Sequence, residues 1–316
     1  MKQWKMAATR DAYGKVLVEL GRENKDIVVL DADLAVSTKT SLFAKEFPDR
    51  FFDLGVAEQD MIGTAAGLAT CGKIVFASTF AVFGSGRAWD QLRMSVAYPR
   101  LNVKVVVTHA GITTGEDGAS HQANEDIAIT RVLPNLAVVV PADAMETEKA
   151  VRAAAKYFGP IYIRLSRPKT PVVYDSSDYD FQIGKGIVMK EGKDLTIFAC
   201  GIMVAAALDA ADILAQEEIN ARVVNLHTIK PLDKTLIVRC AEETGAIVTV
   251  EEHSIIGGLG GAVAEVLVEN VTVPMVRVGL KDMFGESGKP EELLVKYGLT
   301  AEEIVKAAKT VLARKK

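Results

Sequence analysis

Short apolar runs rich in valine and isoleucine alternate with longer amphipathic segments along this chain. In the first half, the runs have the length and composition of buried strands. They lie at residues 26–33, 73–79, 103–109, 136–142 and 160–167. Helix-like periodicity lies between them, at residues 11–22, 88–98 and 143–157. The last of these starts with Asp143, a predicted N-cap, and has Glu146 three residues on, as in a capping box. The alternation predicts a parallel sheet with helices on both faces.

A second alternating series follows a turn-rich bridge at residues 168–180, which contains Pro168, Pro171 and the cluster Asp175-Ser176-Ser177-Asp178. Its predicted strands cover residues 195–200, 222–226, 246–251 and 274–278. Its predicted helices cover residues 204–218, 233–244, 262–269 and 301–313. Because 316 residues suit two domains, we predict an α/β protein with a parallel-sheet domain at 1–170, a linker at 171–190 and a smaller α/β domain at 191–316.

The charge and the apolar content of the sequence limit the kinds of molecule that this protein is expected to bind. The formal net charge is -4, and charges of both signs are interspersed, which disfavours a nucleic-acid-binding role and favours small molecules or proteins. No apolar run reaches the roughly 18 residues that a membrane span needs, and the first residues lack the apolar centre of a signal peptide. These features predict a cytoplasmic protein without membrane contacts.

The three cysteines, Cys71, Cys200 and Cys240, are far apart and show no metal-binding or disulfide spacing. We therefore predict reduced, buried thiols and no metal site within this chain.

The first candidate for chemistry is Glu58, in the segment Gly55-Val56-Ala57-Glu58-Gln59-Asp60-Met61. It follows a short apolar strand at residues 50–54 and precedes a helix rich in small residues, which would leave its carboxylate largely dehydrated. Such a group can share a proton with a ring nitrogen. The alternative is a carboxylate that only stabilises the start of a helix through the helix dipole.

The second candidate is the segment at residues 109–122, His109-Ala110-Gly111-Ile112-Thr113-Thr114-Gly115-Glu116-Asp117-Gly118-Ala119-Ser120-His121-Gln122. It leaves a predicted strand and turns sharply at glycines. Open α/β sheets bind ligands beyond the carboxyl ends of their strands. Two histidines and two acids at that edge therefore indicate a ligand site, although a simple surface turn stays open as an alternative.

These motifs occur in the order found in transketolases, and the chain resembles that family. The matching segments are Glu58-Gln59-Asp60-Met61, Ser78-Thr79-Phe80-Ala81-Val82-Phe83, Gly115 to Gln122, Ala8-Thr9-Arg10, Ala32 to Ser37, Pro134-Asn135 and Leu165-Ser166-Arg167. The resemblance implies a thiamine-diphosphate-binding pyrimidine domain followed by a C-terminal domain like that of transketolases. For the second domain the likeness is weaker, as in Thr228-Ile229-Lys230-Pro231-Leu232-Asp233.

The chain lacks the Gly-Asp-Gly motif, with an Asn some 30 residues later, that holds magnesium and the diphosphate in that family. It therefore resembles the C-terminal subunit of a split transketolase. The resemblance implies that an N-terminal subunit binds the diphosphate and Mg²⁺ or Ca²⁺, that the two chains form an α2β2 heterotetramer, and that the enzyme acts in carbohydrate metabolism such as the pentose phosphate pathway.

The resemblance also implies residue roles. Glu58 would hydrogen-bond the pyrimidine nitrogen N1′ of thiamine diphosphate and so activate it for transfer of a two-carbon ketol unit from a ketose phosphate to an aldose phosphate. Phe83 and Phe80 would pack on the pyrimidine, with Asp33 nearby; core packing is the alternative for both rings.

For the substrate, the resemblance implies that Asp117 accepts a hydrogen bond from the C2 hydroxyl and that His121 contacts the reacting end. Four further residues, Arg10, Ser37, His109 and Arg167, match the phosphate clamp at the far end. The planar fork of arginine suits phosphate, whereas without the resemblance each residue would be interpreted as an ordinary surface group.

Three alternatives share the fold: a 1-deoxyxylulose-5-phosphate synthase, a β subunit of a 2-oxo acid dehydrogenase, and a non-catalytic partner. Arg10, Ser37, His109 and the Gly115-Glu116-Asp117-Gly118 pattern favour transketolase. The sequence does not specify the sugars or the partner chain.

Some residues depart from the family pattern or have no assigned role. Gly86 stands where many transketolases carry a cofactor-contacting tyrosine, which predicts a pyrimidine pocket that is either looser or filled by another group. The run Gly257-Gly258-Leu259-Gly260-Gly261 lacks dinucleotide spacing and is interpreted as a tight turn. No role is assigned to His227 or His253.

Overall fold

The structure is a computed structural model that describes residues 3–174, 176 and 179–315. Of the Asp175 to Asp178 cluster that marked the predicted linker, Ser176 is described and the other three residues lie outside the described part.

Fourteen strands form within these described residues. They are β1 Met6–Ala8, β2 Ile27–Asp31, β3 Phe51–Asp53, β4 Ile74–Phe80, β5 Val103–Thr108, β6 Ala137–Val139, β7 Ile161–Arg164, β8 Lys169–Pro171, β9 Ile187–Lys190, β10 Leu195–Ala199, β11 Ala221–Asn225, β12 Thr228–Lys230, β13 Ile247–Ser254 and β14 Met275–Leu280.

The α-helices alternate with these strands. They are α1 Thr9–Glu23, α2 Ala35–Thr38, α3 Ser41–Glu46, α4 Glu58–Thr70, α5 Trp89–Gln91, α6 Asp126–Arg131, α7 Ala144–Lys156, α8 Met203–Gln216, α9 Lys234–Thr244, α10 Leu259–Asn270, α11 Pro290–Lys296 and α12 Ala301–Leu312. Wider π-helical turns occupy Phe83–Arg87 and Leu92–Ala97, and 3-10 turns occupy Pro48–Arg50 and Ile112–Asp117.

The first sheet has seven strands in the order β12-β6-β7-β5-β4-β2-β3. Six of them are parallel, and β12 joins the edge antiparallel to β6. Side chains of β4 alternate between the faces, as the pleat requires. Phe76 packs in the cluster of α1 and α7, whereas Val75 and Ala77 pack in the cluster of α4. Helices therefore cover both faces.

The second sheet has five strands in the order β14-β13-β10-β11-β9, with β9 antiparallel to β11 at one edge. Helices α8 and α12 contribute to the apolar cluster on one face, which includes Leu214 and Ile304. Helices α9 and α10 contribute Ile237 and Val263 to a cluster that continues into the first sheet's core. The two sheets thus share apolar packing.

The predicted two-domain α/β fold with a parallel first sheet is confirmed. The exact division into residues 1–170, 171–190 and 191–316 stays a prediction. Two strands do not follow this division. Strand β9 lies inside the predicted linker, and β12 pairs with the first sheet although it belongs to the second half of the chain.

The bridge at 168–180 contains one short strand, β8, which pairs with β1. The predicted helix at 88–98 forms as a short α-helix continued by a π-helical stretch. The prediction of a buried thiol was wrong for Cys71, which is exposed just after the last residue of α4, whereas Cys200 and Cys240 are buried; all three thiols are free.

A buried polar network joins the two halves around Glu146. The predicted N-cap forms, since the Asp143 carboxylate accepts a hydrogen bond from the Glu146 backbone N–H at 2.8 Å. The Glu146 carboxylate accepts hydrogen bonds from the Ala142 N–H at 2.7 Å, the Tyr174 hydroxyl at 2.8 Å and the Asn225 amide at 2.9 and 3.0 Å. The Glu146 carboxyl group thus links α7 to β11 of the second sheet.

Glu146 generates a prediction about stability. Burial raises the pKa of its carboxyl from 4.5 to about 7, so the folded chain binds this proton more tightly than the unfolded chain. The resulting stabilisation is complete below about pH 4.5 and is lost as the pH rises through about 7. Between about pH 5 and pH 8, we expect the free energy of unfolding of the wild type to fall by about 1 to 3 kcal/mol more than that of Glu146→Gln, measured by urea denaturation. An equal fall in both proteins would contradict this assignment.

Candidate functional site

Glu58 begins α4, just beyond the carboxyl end of β3. Its side chain is 1% exposed, and both carboxylate oxygens accept hydrogen bonds from Nη1 of Arg87, at 3.0 and 2.8 Å. The Arg87 side chain is half exposed. Glu58 is therefore a buried carboxylate whose charge is balanced by a cation at the protein surface.

Two aromatic rings lie beside this ion pair. Phe80 ends β4 and Phe83 begins the π-helical turn that follows, with ring centroids 6.1 Å apart and ring planes 14° from parallel. The Arg87 guanidinium carbon lies 4.5 Å from the centroid of the Phe83 ring. A planar group that bears N–H donors thus fits between Phe83 and the Glu58 carboxylate.

The aromatic wall continues into the two histidines of the 109–122 segment. The His109 ring stacks on Phe80 with centroids 3.7 Å apart, and the His121 ring meets Phe83 edge-on at 5.3 Å. Burial, assisted by the charges of Arg10, Arg167 and His121, lowers the pKa of His109 to about 3. His109 is therefore neutral at physiological pH.

Two arginines give this end of the site its positive charge. Arg10 donates from Nη1 to the Ser37 carbonyl at 3.1 Å, while Arg167 donates to the Thr114 carbonyl and forms an ion pair of 2.8 Å with Glu116. Burial lowers the pKa of Arg10, the charge of Asp11 opposes that change, and Arg167 adds to it. The structure thus gathers Arg10, His109 and Arg167 into one basic cluster.

The 109–122 segment reaches this position through unusual backbone angles. Gly111, Gly115 and Gly118 have φ values of 77°, 78° and 76°, and His109 itself has a φ of 58°. A positive φ at a residue other than glycine is strained and is found preferentially at functional sites. The Thr114 hydroxyl donates to the His109 carbonyl at 2.7 Å and fastens this turn.

Residues from the second half of the chain form hydrogen bonds with the 109–122 segment. Glu252 of β13 accepts a hydrogen bond from the Thr113 N–H at 2.7 Å, and its pKa is raised by burial to about 7. Gln122 donates to the Ile112 carbonyl at 3.2 Å and to the Glu286 carbonyl at 2.9 Å. The second half of the chain therefore holds the segment in place.

Two predicted site residues are more exposed. Asp117 ends the 3-10 turn, and its side chain faces solvent. Asp33 is also exposed and has a φ of 63°. Its backbone N–H donates a hydrogen bond to the Asp53 carboxylate at 2.9 Å. The buried acid nearby is Asp31, which accepts hydrogen bonds from the hydroxyls of Thr38 and Thr40.

The structure thus connects the predicted residues in a continuous series from Glu58, through Phe83 and Phe80, to His109 and the two arginines. It does not bring Asp33 and Asp117 into that buried series. Sequence reasoning missed Arg87, Asp31 and Glu252. Arg87 stands four residues after Phe83, a spacing that puts two side chains on one face of a helix, so its position next to that ring could have been anticipated.

The glycine run at 257–261 and the two histidines without an assigned role have structural explanations. The glycine run caps α10, where the N–H groups of Leu259 and Gly260 donate to the Glu251 carboxylate at 2.6 and 2.8 Å. His227 stacks on Phe181 at 4.3 Å, and His253 hydrogen-bonds the Ser254 carbonyl at 2.7 Å. Burial lowers the pKa of both histidines to about 4.

Within the described part of the chain, no group of three or more His, Cys, Asp or Glu side chains is placed to hold a metal ion. In that same part, no helix is both long and apolar enough to cross a membrane.

Residues 5–172 match the family of transketolase pyrimidine-binding domains, and residues 184–304 match the family of transketolase C-terminal domains. The chain belongs to the transketolase family. Its predicted resemblance is thereby confirmed.

Relatives of similar length accompany these matches. A protein of Methanocaldococcus jannaschii, provisionally described as a transketolase C-terminal section, is 54% identical over 94% of each chain. A 6-deoxy-6-sulfo-D-fructose transketolase subunit of Clostridium sp. is 47% identical over 97% of this chain and 95% of its own. A solved structure described as a split gene transketolase in an inactive β4 tetramer is 59% identical, with a TM-score of 0.92 over 98% of this chain and 99% of that one.

The turn at Gly111 generates a prediction. A Cβ atom there would lie 2.3 Å from the Glu252 carboxyl carbon, in addition to the strain of a positive φ. We expect Gly111→Ala to lower the free energy of unfolding by about 2 to 4 kcal/mol in urea. Gly55→Ala is the matched control, because Gly55 has a φ of 71° but open space around its Cβ position, and it should cost only about 1 kcal/mol. Equal losses in the two variants would show that Glu252 does not pack against this turn as described.

Proposed function

We propose that this chain is the C-terminal subunit of a split, thiamine-diphosphate-dependent transketolase. The observation that carries the proposal is the placement of a buried carboxylate, Glu58, next to an aromatic wall that leads to a basic cluster. This arrangement suits a ligand with a planar, nitrogen-bearing ring at one end of the site and a substrate with an anionic group at the other.

The residues fit the aminopyrimidine of the cofactor. The space between Glu58 and Phe83 accepts the planar N–H-bearing guanidinium of Arg87, and an aminopyrimidine has the same two properties. We assign Glu58 to hold a proton at the pyrimidine nitrogen N1′, Phe83 and Phe80 to the ring face, and Asp33 to the rim. When bound, thiamine diphosphate supplies the nucleophilic carbon for transfer of a two-carbon ketol unit.

The basic cluster is the proposed site for the substrate's phosphate. Arg10 and Arg167 together carry two positive charges, and neutral His109 can donate or accept a hydrogen bond. Arg167 is paired with Glu116 at 2.8 Å and would exchange that partner for a phosphate oxygen. Ser37, whose carbonyl holds Arg10, completes the clamp.

His121 and Asp117 are assigned to the reacting end of the sugar. The His121 ring meets the edge of the aromatic wall at Phe83 and is partly exposed, so it can contact a substrate next to the pyrimidine. Asp117 is exposed at the end of the glycine-rich turn, where its carboxylate can accept a hydrogen bond from the C2 hydroxyl. A wrong configuration at C2 would leave that bond unmade, at a cost of about 1 to 3 kcal/mol.

A partner chain supplies the rest of the site in this proposal. The described residues offer no metal-ligand cluster, so an N-terminal subunit would hold the diphosphate and its Mg²⁺ or Ca²⁺, and the two chains would form an α2β2 assembly. The relative described as a split gene transketolase in an inactive β4 tetramer supports a need for that second chain.

The identity of the anionic group is open to two chemistries. The Clostridium relative is named for a sulfonated sugar, and sulfonate and phosphate are both tetrahedral oxyanions that arginine binds well. We favour phosphate, because two arginines balance its two negative charges.

The test is reconstitution. The chain, an N-terminal partner, thiamine diphosphate and Mg²⁺ are mixed with xylulose 5-phosphate and ribose 5-phosphate, and formation of sedoheptulose 7-phosphate is followed. We expect turnover from the mixture and none from either chain alone. Glu58→Gln should lower the rate by about 100-fold or more, because a positioned proton-sharing group contributes that order of acceleration.

Controls separate the possible failures. Arg22→Met, which removes an exposed ion pair with Glu46 far from the site, should leave the rate unchanged. Turnover with 6-deoxy-6-sulfofructose in place of the phosphorylated ketose would reassign the clamp to a sulfonate. No turnover with either donor, despite a formed complex with bound cofactor, would overturn the proposed activity.

A further inference from the structure

The contacts of Arg87 duplicate those assigned to the cofactor ring. Its Nη1 donates to both Glu58 oxygens, at 3.0 and 2.8 Å, and its guanidinium carbon lies over the Phe83 ring, 4.5 Å from the centroid. A ligand ring stacked on Phe83 and hydrogen-bonded to Glu58 would need this same space. We propose that Arg87 is a built-in occupant of the pyrimidine site, which the cofactor must displace in order to bind; this inference rests on the proposed function.

The backbone around Arg87 is fixed, whereas its side chain can leave. The Arg87 carbonyl accepts a hydrogen bond from the Gln59 amide at 3.1 Å, and the Ala88 N–H closes the π turn on the Phe83 carbonyl at 3.2 Å. The side chain is 47% exposed, so rotation about its own bonds can carry the guanidinium to solvent. Displacement therefore requires no movement of α4 or of the π turn.

The ion pair with Arg87 stabilises the cofactor-free chain because it compensates the charge of the buried Glu58 carboxylate. Glu58 is 1% exposed, and a buried carboxylate without a partner is costly. Arg87 supplies the opposite charge until the pyrimidine takes over the hydrogen bond. The same ion pair lowers the apparent affinity for the cofactor, because only the fraction of chains with an open site is competent to bind.

The experiment titrates thiamine diphosphate into the complex of this chain with its N-terminal partner, at saturating Mg²⁺, by isothermal calorimetry. Arg87→Met keeps an apolar side chain but removes the guanidinium, and we expect its Kd to fall by about fivefold or more relative to wild type. Arg87→Lys keeps a positive charge for Glu58 without the planar guanidinium and should give a smaller decrease in Kd. Arg22→Met removes an exposed arginine–glutamate pair and should bind as wild type does.

A second readout is independent of affinity. Without cofactor, Arg87→Met should melt at a lower temperature than wild type, because Glu58 loses its partner, and saturating thiamine diphosphate should raise its Tm by more than that of wild type. Arg22→Met should show the wild-type increase.

The outcomes distinguish the two claims. If the wild-type complex binds thiamine diphosphate but neither Arg87 variant binds it more tightly than Arg22→Met does, the inference is overturned and the proposed function stands. If the wild-type complex does not bind the cofactor, both are overturned. Tighter binding in both Arg87 variants, with the larger Tm increase in Arg87→Met, supports the inference.

Discussion

The site depends on one buried guanidinium, that of Arg164 at the carboxyl end of β7. Its Nε donates to both oxygens of Asp126 at 3.0 and 2.9 Å, and its Nη2 donates to the carbonyls of Ala123 and Glu252 at 3.1 and 3.0 Å. The side chains of Arg164 and Asp126 are 5% and 0% exposed. Removal of one partner from such a buried pair typically costs about 3 to 5 kcal/mol, because the other charge is left buried and uncompensated, so this junction requires both partners.

These four contacts join the first sheet, the start of α6, the end of the glycine-rich segment and β13 of the second sheet. The segment begins at His109, which stacks on Phe80, and ends next to Ala123, which Arg164 holds. Because both ends are fixed, and because Glu252 binds the Thr113 N–H in the middle, the segment can retain positive φ at His109. The second half of the chain therefore contributes to the site as a support, although none of the assigned cofactor or substrate contacts comes from it.

The sequence predicted the fold well where burial alone determines the structure. Valine-rich, mostly apolar runs such as 103–109 become central parallel strands because both faces of the sheet are covered. The antiparallel addition of β12 to the first sheet could not be predicted, because three residues carry no usable periodicity and their pairing depends on how the second half packs. The π turns after Phe80 were missed for a similar reason, since a single extra residue per turn does not change the composition of a helix.

For the site, motif order indicated Glu58, the two phenylalanines and the basic cluster, and the structure places these residues next to one another. The motifs do not indicate which side chain pairs with Glu58 in the cofactor-free chain. That partner, Arg87, is set by tertiary packing of α4 against the π turn. Exposure of Asp117, burial of Asp31 and the role of Glu252 likewise follow from three-dimensional contacts that lie outside any one motif.

The most direct measurement is an experimental structure of this chain in complex with an N-terminal transketolase subunit, thiamine diphosphate and Mg²⁺. We predict that a Glu58 carboxylate oxygen lies within about 2.6 to 3.2 Å of the pyrimidine nitrogen N1′, that the pyrimidine packs on Phe83, and that Arg87 has turned to solvent. A bound cofactor whose pyrimidine lies elsewhere, with Glu58 still paired to Arg87, would contradict it.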